Sequence, residues 1–254
     1  MKHNTILILY SVVLIFSIYF FKNELFLKWL IIALTLILIT FIVLGSSFIQ
    51  LNYFVNNINK GNKKGIALTF DDGPDPDITP QILNLLNQEN IKATFFVIGN
   101  QIDNYSEIIK KIDADGHTLG NHSFSHNKKL TYLPTSKLKA DIAKCSNIIK
   151  QNINKKPLFF RPPYGITTPR YKRALQQLQL KSIGWNIRSF DTQANDPNKL
   201  YNNIINQIKD GSILLFHDTQ QITLEVLPNI INYCKNNGIN IVALPDLINQ
   251  KAYE

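Results

Sequence analysis

The chain is poor in the residues that staple small domains or grip nucleic acids. Among 254 residues there are two cysteines, Cys145 and Cys234, with no CxxC pair and no spacing that signals pairing. A disulfide framework is thereby excluded, and both thiols read as small core residues on predicted helices. Arginine is scarce, four of the 27 basic residues. With no arginine-rich block and no basic stripe interleaved with aromatics, nucleic-acid binding has no support. The formal charge is +9, of which residues 1–60 supply +3 and the rest is spread thinly. A field of that sign suits anionic lipid head groups or an acidic polymer. No internal repeat is visible.

What the chain does have is two long apolar runs at its start, residues 5–21 and 29–49, separated by Lys22, Glu24 and Lys28. The second is long enough to cross a bilayer as a helix, and the first is at the short end. No small-residue cleavage pattern follows Phe21, so two spans are expected rather than a removed signal peptide. Residues 1–49 are then a membrane anchor, 50–64 an Asn- and Lys-rich linker, and 65–254 one sizeable domain. Two spans put the N-terminus and the domain on the same side. Lys2, Lys60, Lys63 and Lys64 on that side outnumber Lys22 and Lys28, a lean towards the cytoplasm.

From residue 65 onward, short apolar strands alternate with amphipathic helical stretches. Strands are predicted at 66–70, 93–98, 117–120, 158–161, 181–185, 212–217 and 240–242. Helices are predicted at 80–88, 106–114, 136–150, 169–177, 198–209, 223–237 and 245–249. Pro80 and Pro169 mark first turns; Gly116, Gly211 and Gly238 follow last turns. The alternation predicts an α/β fold: an incomplete or distorted (β/α) barrel of about seven parallel strands, with an open doubly wound sheet as the alternative. Function in such folds sits at the carboxyl ends of the strands.

Chemistry-bearing residues gather at those ends. The strand 66–70 runs into Asp71-Asp72-Gly73-Pro74, two adjacent carboxylates that cost stability unless something uses them. Asn121-His122-Ser123-Phe124-Ser125-His126 follows another strand, and four-residue spacing on a helical turn would point both imidazoles one way. One carboxylate, from Asp71 or Asp72, added to two imidazoles makes a three-ligand site of the kind hydrolytic metals occupy. His117 reads as a packing residue. Arg161-Pro162-Pro163-Tyr164 has few amide donors, so the Tyr164 N–H is held in one direction and suits an oxyanion. Arg161 could hold a carboxylate bidentately. Trp185 to Thr192 collects aromatic, basic and acidic residues, and the strand 212–217 ends in His217, placed as an acid–base group.

With these five segments in order, residues 65–247 resemble the polysaccharide deacetylase (NodB homology) family, carbohydrate esterase family 4. The resemblance implies a metal-dependent hydrolase that removes acetyl groups from N-acetylated sugars, on a distorted β/α barrel. It implies Asp71 as general base and Asp72, His122 and His126 as ligands of a divalent ion, zinc first, with cobalt or another divalent ion as substitutes. It further implies His217 as general acid, Arg161 orienting Asp71, Asp191 supporting His217, and Tyr164 N–H at the oxyanion. Leu215 and Trp185 would line the acetyl pocket. Many relatives carry an aromatic residue after the fourth-motif aspartate, where this chain has Thr192, and Arg188 is an addition. The expected substrate is a cell-envelope glycan, peptidoglycan or an exported polysaccharide, reached by an extracytoplasmic domain on a multi-pass anchor. Alternatives are a lipid-linked sugar at the cytoplasmic face, an O-acetyl ester, or a glycan-binding module without chemistry.

Overall fold

A computed structural model describes residues 2–254. Two helices, α1 (Lys2–Phe20) and α2 (Glu24–Ser47), open the chain, and each is long and apolar enough to cross a membrane. Asn23 caps α2 by accepting the Phe26 N–H at 3.0 Å, the usual way a first-turn amide is satisfied. The domain begins at β1 (Asn57–Ile58), then β2 (Ile66–Asp71), α3 (Ile78–Gln88), β3 (Thr94–Val97) and the one-turn α4 (Gly99–Ile102). It continues through α5 (Ser106–Ala114), β4 (Thr118–Asn121), α6 (Thr135–Ile153), β5 (Phe159–Phe160), α7 (Pro169–Leu178) and β6 (Lys181–Ile183). The last part is β7 (Ile187–Arg188), α8 (Pro197–Ile205), β8 (Ser212–His217), α9 (Gln221–Asn236) and α10 (Leu244–Ile248).

Among the described residues all eight strands are parallel in one sheet, ordered β1-β6-β5-β4-β3-β2-β8-β7, and the sheet curls into a half-barrel. Successive strand residues face opposite sides, and here that alternation sorts chemistry from core. Ile66, Leu68 and Phe70 of β2, with Leu214 and Phe216 of β8, join the outer cluster against Ile82, Ile109 and Val226 of the surrounding helices. The Phe70 ring stacks on Phe95 at 5.0 Å. The intervening Ala67, Ile213 and Leu215 belong to the inner cluster with Phe96, Phe159 and Trp185. By the same alternation Thr69, Asp71 and His217 lie on the inner side. Burial of β2 and β8 is complete along their length.

The predicted strand at 240–242 is reduced to one bridge, Ile66↔Ile241, because the chain turns at once into α10. Two strands replace it. One is β7, paired with β8 through Ile187↔Leu214 and Arg188↔Leu215. The other is β1, inside the stretch read as a linker, paired with β6. Tyr53, Phe54 and Val55 of that stretch are buried, in a cluster with Leu138, Phe160 and Tyr171. The polar composition of residues 50–64 conceals this, since the asparagines spend their amides internally: Asn57 Nδ2 donates to Ile49 O and Val55 O.

Candidate active site

The pairing register brings the titratable strand-end residues together. Along β2 and β8, Asp71 stands opposite His217. His122 and Arg161 extend the neighbouring strands by one residue each: His122 N–H donates to Val97 O and Arg161 N–H to Asn121 O. Four strand ends therefore deliver Asp71, Asp72, His122, Arg161 and His217 to one rim.

The two aspartates face different partners. Asp71 Oδ1 accepts Arg161 Nη1 at 2.8 Å. The guanidinium is fully buried, also donates to Thr69 Oγ1 and to Gly184 O, and lies 4.1 Å from the centre of the Phe96 ring. A charge so enclosed is tolerable because it is paired and its donors are spent. Asp72 Oδ1 instead lies 3.3 Å from His122 Nε2 and 3.1 Å from His126 Nε2. These three residues offer ligand atoms all within 4.8 Å of one another.

The trio has the chemistry of a metal site. His122 Nδ1 sits 2.9 Å from the Arg161 carbonyl, a contact that requires Nδ1–H as donor and leaves Nε2 its lone pair when the ring is neutral. Asp72 Oδ1 is buried without a conventional hydrogen-bond donor. With His122 neutral, a lone pair on Nε2 faces a carboxylate oxygen at that separation, an arrangement that a cation between them would satisfy. Burial, reinforced by the charge of His122, pushes His126 down to about 4, so its ring is neutral and available. Burial alone would raise the Asp72 carboxyl, but positive charge among the facing imidazoles, His122 foremost, outweighs it and holds the group well below its usual range; a cation bound between them would act in the same sense.

His217 faces the same space from the other side. Its Nδ1 lies 2.7 Å from Asp191 Oδ1, and its Nε2 is 3.9 Å from Asp72 Oδ2. Burial works to lower its pKa, yet the Asp191 hydrogen bond and the charges of Asp191, Asp71 and Asp72 raise it above the ordinary histidine value. For Asp191 burial works upward, and the His217 partnership overrides it and lowers the carboxyl.

The cavity enclosed is about 310 Å³, lined by Asp71, Asp72, His122 and His126 with Tyr164, Trp185, Leu215 and His217. That is the low end of small-molecule sites. Tyr164 adopts φ 59°, a left-handed backbone that is uncommon outside glycine and clusters at functional sites. Its hydroxyl bonds to the His126 carbonyl at 3.3 Å. Gly165 follows at φ +71°, and a Cβ there would lie 2.6 Å from Trp185 Cη2, so the indole leans directly on the glycine.

Comparison with known proteins gives the family. Residues 58–183 match the polysaccharide deacetylase family. A peptidoglycan-N-acetylglucosamine deacetylase of Bacillus cereus is 35% identical over 191 residues, which cover 73% of this chain and 69% of that protein. The chain belongs to the polysaccharide deacetylase family. The crystal structure of a peptidoglycan N-acetylglucosamine deacetylase matches with a TM-score of 0.74 at 30% identity, covering 78% of this chain and 95% of that one. A peptidoglycan-N-acetylmuramic acid deacetylase of Bacillus subtilis is 32% identical over 186 residues, 73% of this chain but 39% of that longer protein.

Within this polysaccharide deacetylase chain, all ten residues singled out from sequence converge on the pocket or directly support it. The path differs at one place. The stretch 122–126 is a turn, not helical: Ser123 and His126 have φ 70° and 46°. Side-chain acceptors hold it there. Asn121 Oδ1 takes the Ser123 N–H, Ser123 Oγ takes the His126 N–H, and the Asp141 carboxylate takes the amides of Phe124 and Ser125. The two imidazoles still come within 4.9 Å, centre to centre. Asn121 and Asp141 escaped the sequence reading, as did Thr223, whose hydroxyl donates to Asp191 Oδ2 at 2.6 Å from helix α9. Asp141 and Thr223 act across 17 and 32 residues, so nothing local marks them, while Asn121 holds Ser123 two residues on and looks like any strand-end polar residue. His117 packs as read, accepting the Ala93 N–H on Nδ1 just before the start of β4, away from the pocket.

Proposed function

We infer that the chain is a metal-dependent hydrolase that removes the acetyl group from an N-acetylated sugar of a cell-envelope glycan. Peptidoglycan is the substrate class, by analogy with what its relatives are named for. The observation that carries this reading is the division between adjacent carboxylates: Asp72 turns to His122 and His126, while Asp71 turns to Arg161.

A divalent ion held by Asp72, His122 and His126, zinc first among candidates, would supply Lewis-acid polarisation of the acetyl carbonyl and acidify water. Asp71 takes the proton of the attacking water as general base, kept in place by the buried guanidinium of Arg161. The Tyr164 N–H donates to the oxygen on which negative charge develops. Leu215 and Trp185 accept the acetyl methyl in the apolar part of the cavity. His217, oriented by Asp191, hands a proton to the departing amine, which is too basic to leave as an anion. The products are acetate and a free amino sugar.

The two apolar helices hold the domain at a membrane, with the domain outside the cytoplasm, where an envelope polymer lies. A reporter fused to the C-terminus tests the side: activity only in the cytoplasm overturns the extracytoplasmic placement. The reaction is tested by amine release from acetylated chito-oligomers and purified peptidoglycan, with and without added zinc. Zinc-dependent release is expected, and undiminished release after chelation would sink the metal-dependent reading.

A further inference from the structure

The end of the second apolar helix packs directly behind the wall of the pocket. The Ser46 hydroxyl donates to the Thr167 carbonyl at 2.8 Å, and the Ser46 carbonyl accepts the Thr167 N–H at 3.0 Å. Gln50 Nε2 donates to the carbonyl of Trp185 at 3.2 Å. Ile49 is 2% exposed, in one cluster with the pocket residues Trp185 and Leu215. A Cβ on Gly45 would lie 2.3 Å from Tyr53 Cγ, so helix and domain meet without a spacer. At the start of the hairpin, Lys2 Nζ donates to Leu51 O at 2.7 Å. Ile6 and Ile42, one from each helix, pack on the cluster that contains Tyr53, Leu130 and Tyr171.

No flexible tether therefore lies between spans and pocket. Thr167 sits where α2 runs out of apolar residues, which is the interfacial level of any bilayer that α2 crosses. Gly165 of the pocket wall is two residues away, and an extended chain advances at most ~3.5 Å per residue, so the wall stands within roughly 7 Å of that level.

The face that surrounds this junction is basic. Lys128 and Lys129 lie in a short 3₁₀ turn, and Arg170, Lys172 and Arg173 on α7. The two segments are tied together by Arg170 Nη1 to Thr131 O and Arg173 Nε to Thr135 Oγ1. No aspartate or glutamate occurs in residues 127–140 or 162–190. Tyr132, 79% exposed, ends the same short turn that carries Lys128 and Lys129, a combination of aromatic and basic side chains suited to the membrane–water interface.

The geometry points to a substrate held on the same membrane: an acetamido glycan carried on a lipid through an anionic phosphate link, with Lys128, Lys129, Arg170, Lys172 and Arg173 meeting the phosphate. This rests on the deacetylase reading and narrows its substrate. A pocket fixed at the bilayer surface reaches only glycan close to that surface, where a lipid carrier concentrates it in two dimensions. The basic face, whose nearest carboxylate, Asp141, is engaged by the amides of Phe124 and Ser125, adds charge complementarity that a neutral glycan would not use. The reaction is unchanged: water adds to the acetyl carbon, the C–N bond breaks, and the amine stays on the carried sugar.

The test uses the full chain reconstituted in neutral-lipid vesicles with zinc. Three substrates bear the same acetylated chito-oligomer: free, on a neutral glycolipid, and on a lipid phosphate, the last supplied either in the same vesicles or in separate ones. The expected result is an advantage of about tenfold or more for the phosphate-linked substrate in the same vesicles. The triple variant Lys128→Gln, Lys129→Gln, Lys172→Gln is expected to lower that rate about threefold or more while the free oligomer rate holds, which also reports that the variant is folded. Equal rates for free and membrane-held oligomer overturn the proposal. Equal rates for neutral and phosphate-linked lipids overturn its phosphate part. Inactivity on every substrate overturns the deacetylase reading instead.

Discussion

Asp191 grips His217 twice: Oδ1 lies 2.7 Å from the ring Nδ1, and Oδ2 accepts the His217 main-chain N–H at 2.7 Å. One carboxylate thus sets both the position of the strand end and the tautomer of the ring, leaving Nε2 towards the pocket. Its effect on the proton is to raise the His217 pKa against the opposing pull of burial. A raised pKa keeps the imidazolium present to higher pH, and the acid function proposed for His217 would be lost only as pH rises through that value. In Asp191→Asn the raising partner is gone and burial dominates, so the alkaline limb of the kcat profile is expected to move to lower pH. Loss of the positioned acid should also lower kcat by about 10²-fold or more. An unmoved alkaline limb would show that another group sets it.

The adjacent carboxylates should separate cleanly by metal content. Asp71→Asn is expected to retain bound zinc, since Asp71 is engaged by Arg161, while kcat falls by about 10²- to 10⁴-fold. Asp72→Asn and His126→Ala are expected to lose the metal itself. Elemental analysis after gel filtration distinguishes them, and zinc loss in Asp71→Asn would reverse the assignment. Zinc at about 1,000 times its Kd should stabilise the native chain by about 4 kcal/mol, and the ligand variants by far less.

Gly165→Ala tests the indole platform. The new Cβ meets Trp185 and the backbone is left-handed there, so a cost of about 1–3 kcal/mol is expected. Because Trp185 lines the cavity, KM or kcat should change beyond what lost folded protein explains. Wild-type kinetics and melting temperature together would remove Trp185 from the acetyl pocket.

The junction between anchor and domain is testable by stability alone. Ile49→Ala deletes a buried side chain that packs with Trp185 and Leu215, an expected loss of about 2–5 kcal/mol. A chain beginning at residue 65 lacks Ile49, Tyr53–Val55 and β1, and should be less stable than one beginning at residue 48. Equal denaturant midpoints for those two chains would return residues 50–64 to the status of a linker.

Much of the site was legible because its residues are written in short segments at strand ends. Asp71-Asp72, the His122–His126 spacing and the His217 strand end each declare their chemistry locally. Supporting groups were not legible. Thr223, Asn121 and Asp141 are ordinary polar residues in helix or strand, and only their partners reveal what they do. Residues 50–64 differ from a linker for a related reason: asparagine-rich sequence looks solvated, yet here the Asn57 and Asn59 amide groups donate to Ile49 O and Asn52 Oδ1 while Tyr53, Phe54 and Val55 turn inward.

By itself the sequence determined the alternation of strand and helix, the apolar length of the two leading helices, and the residue types offered at each strand end. Those properties follow from local periodicity and side-chain chemistry. The tertiary structure alone decided which carboxylate meets which partner. Arg161 reaches Asp71 across 90 residues and Asp191 reaches His217 across 26, through sheet order and register that no local pattern encodes. It also decided that the anchor ends against the segment behind the pocket wall, since Ser46 and Thr167 are 121 residues apart. Contacts at such separations are set by how the whole core packs, because each is worth little until the surrounding burial has brought the segments together.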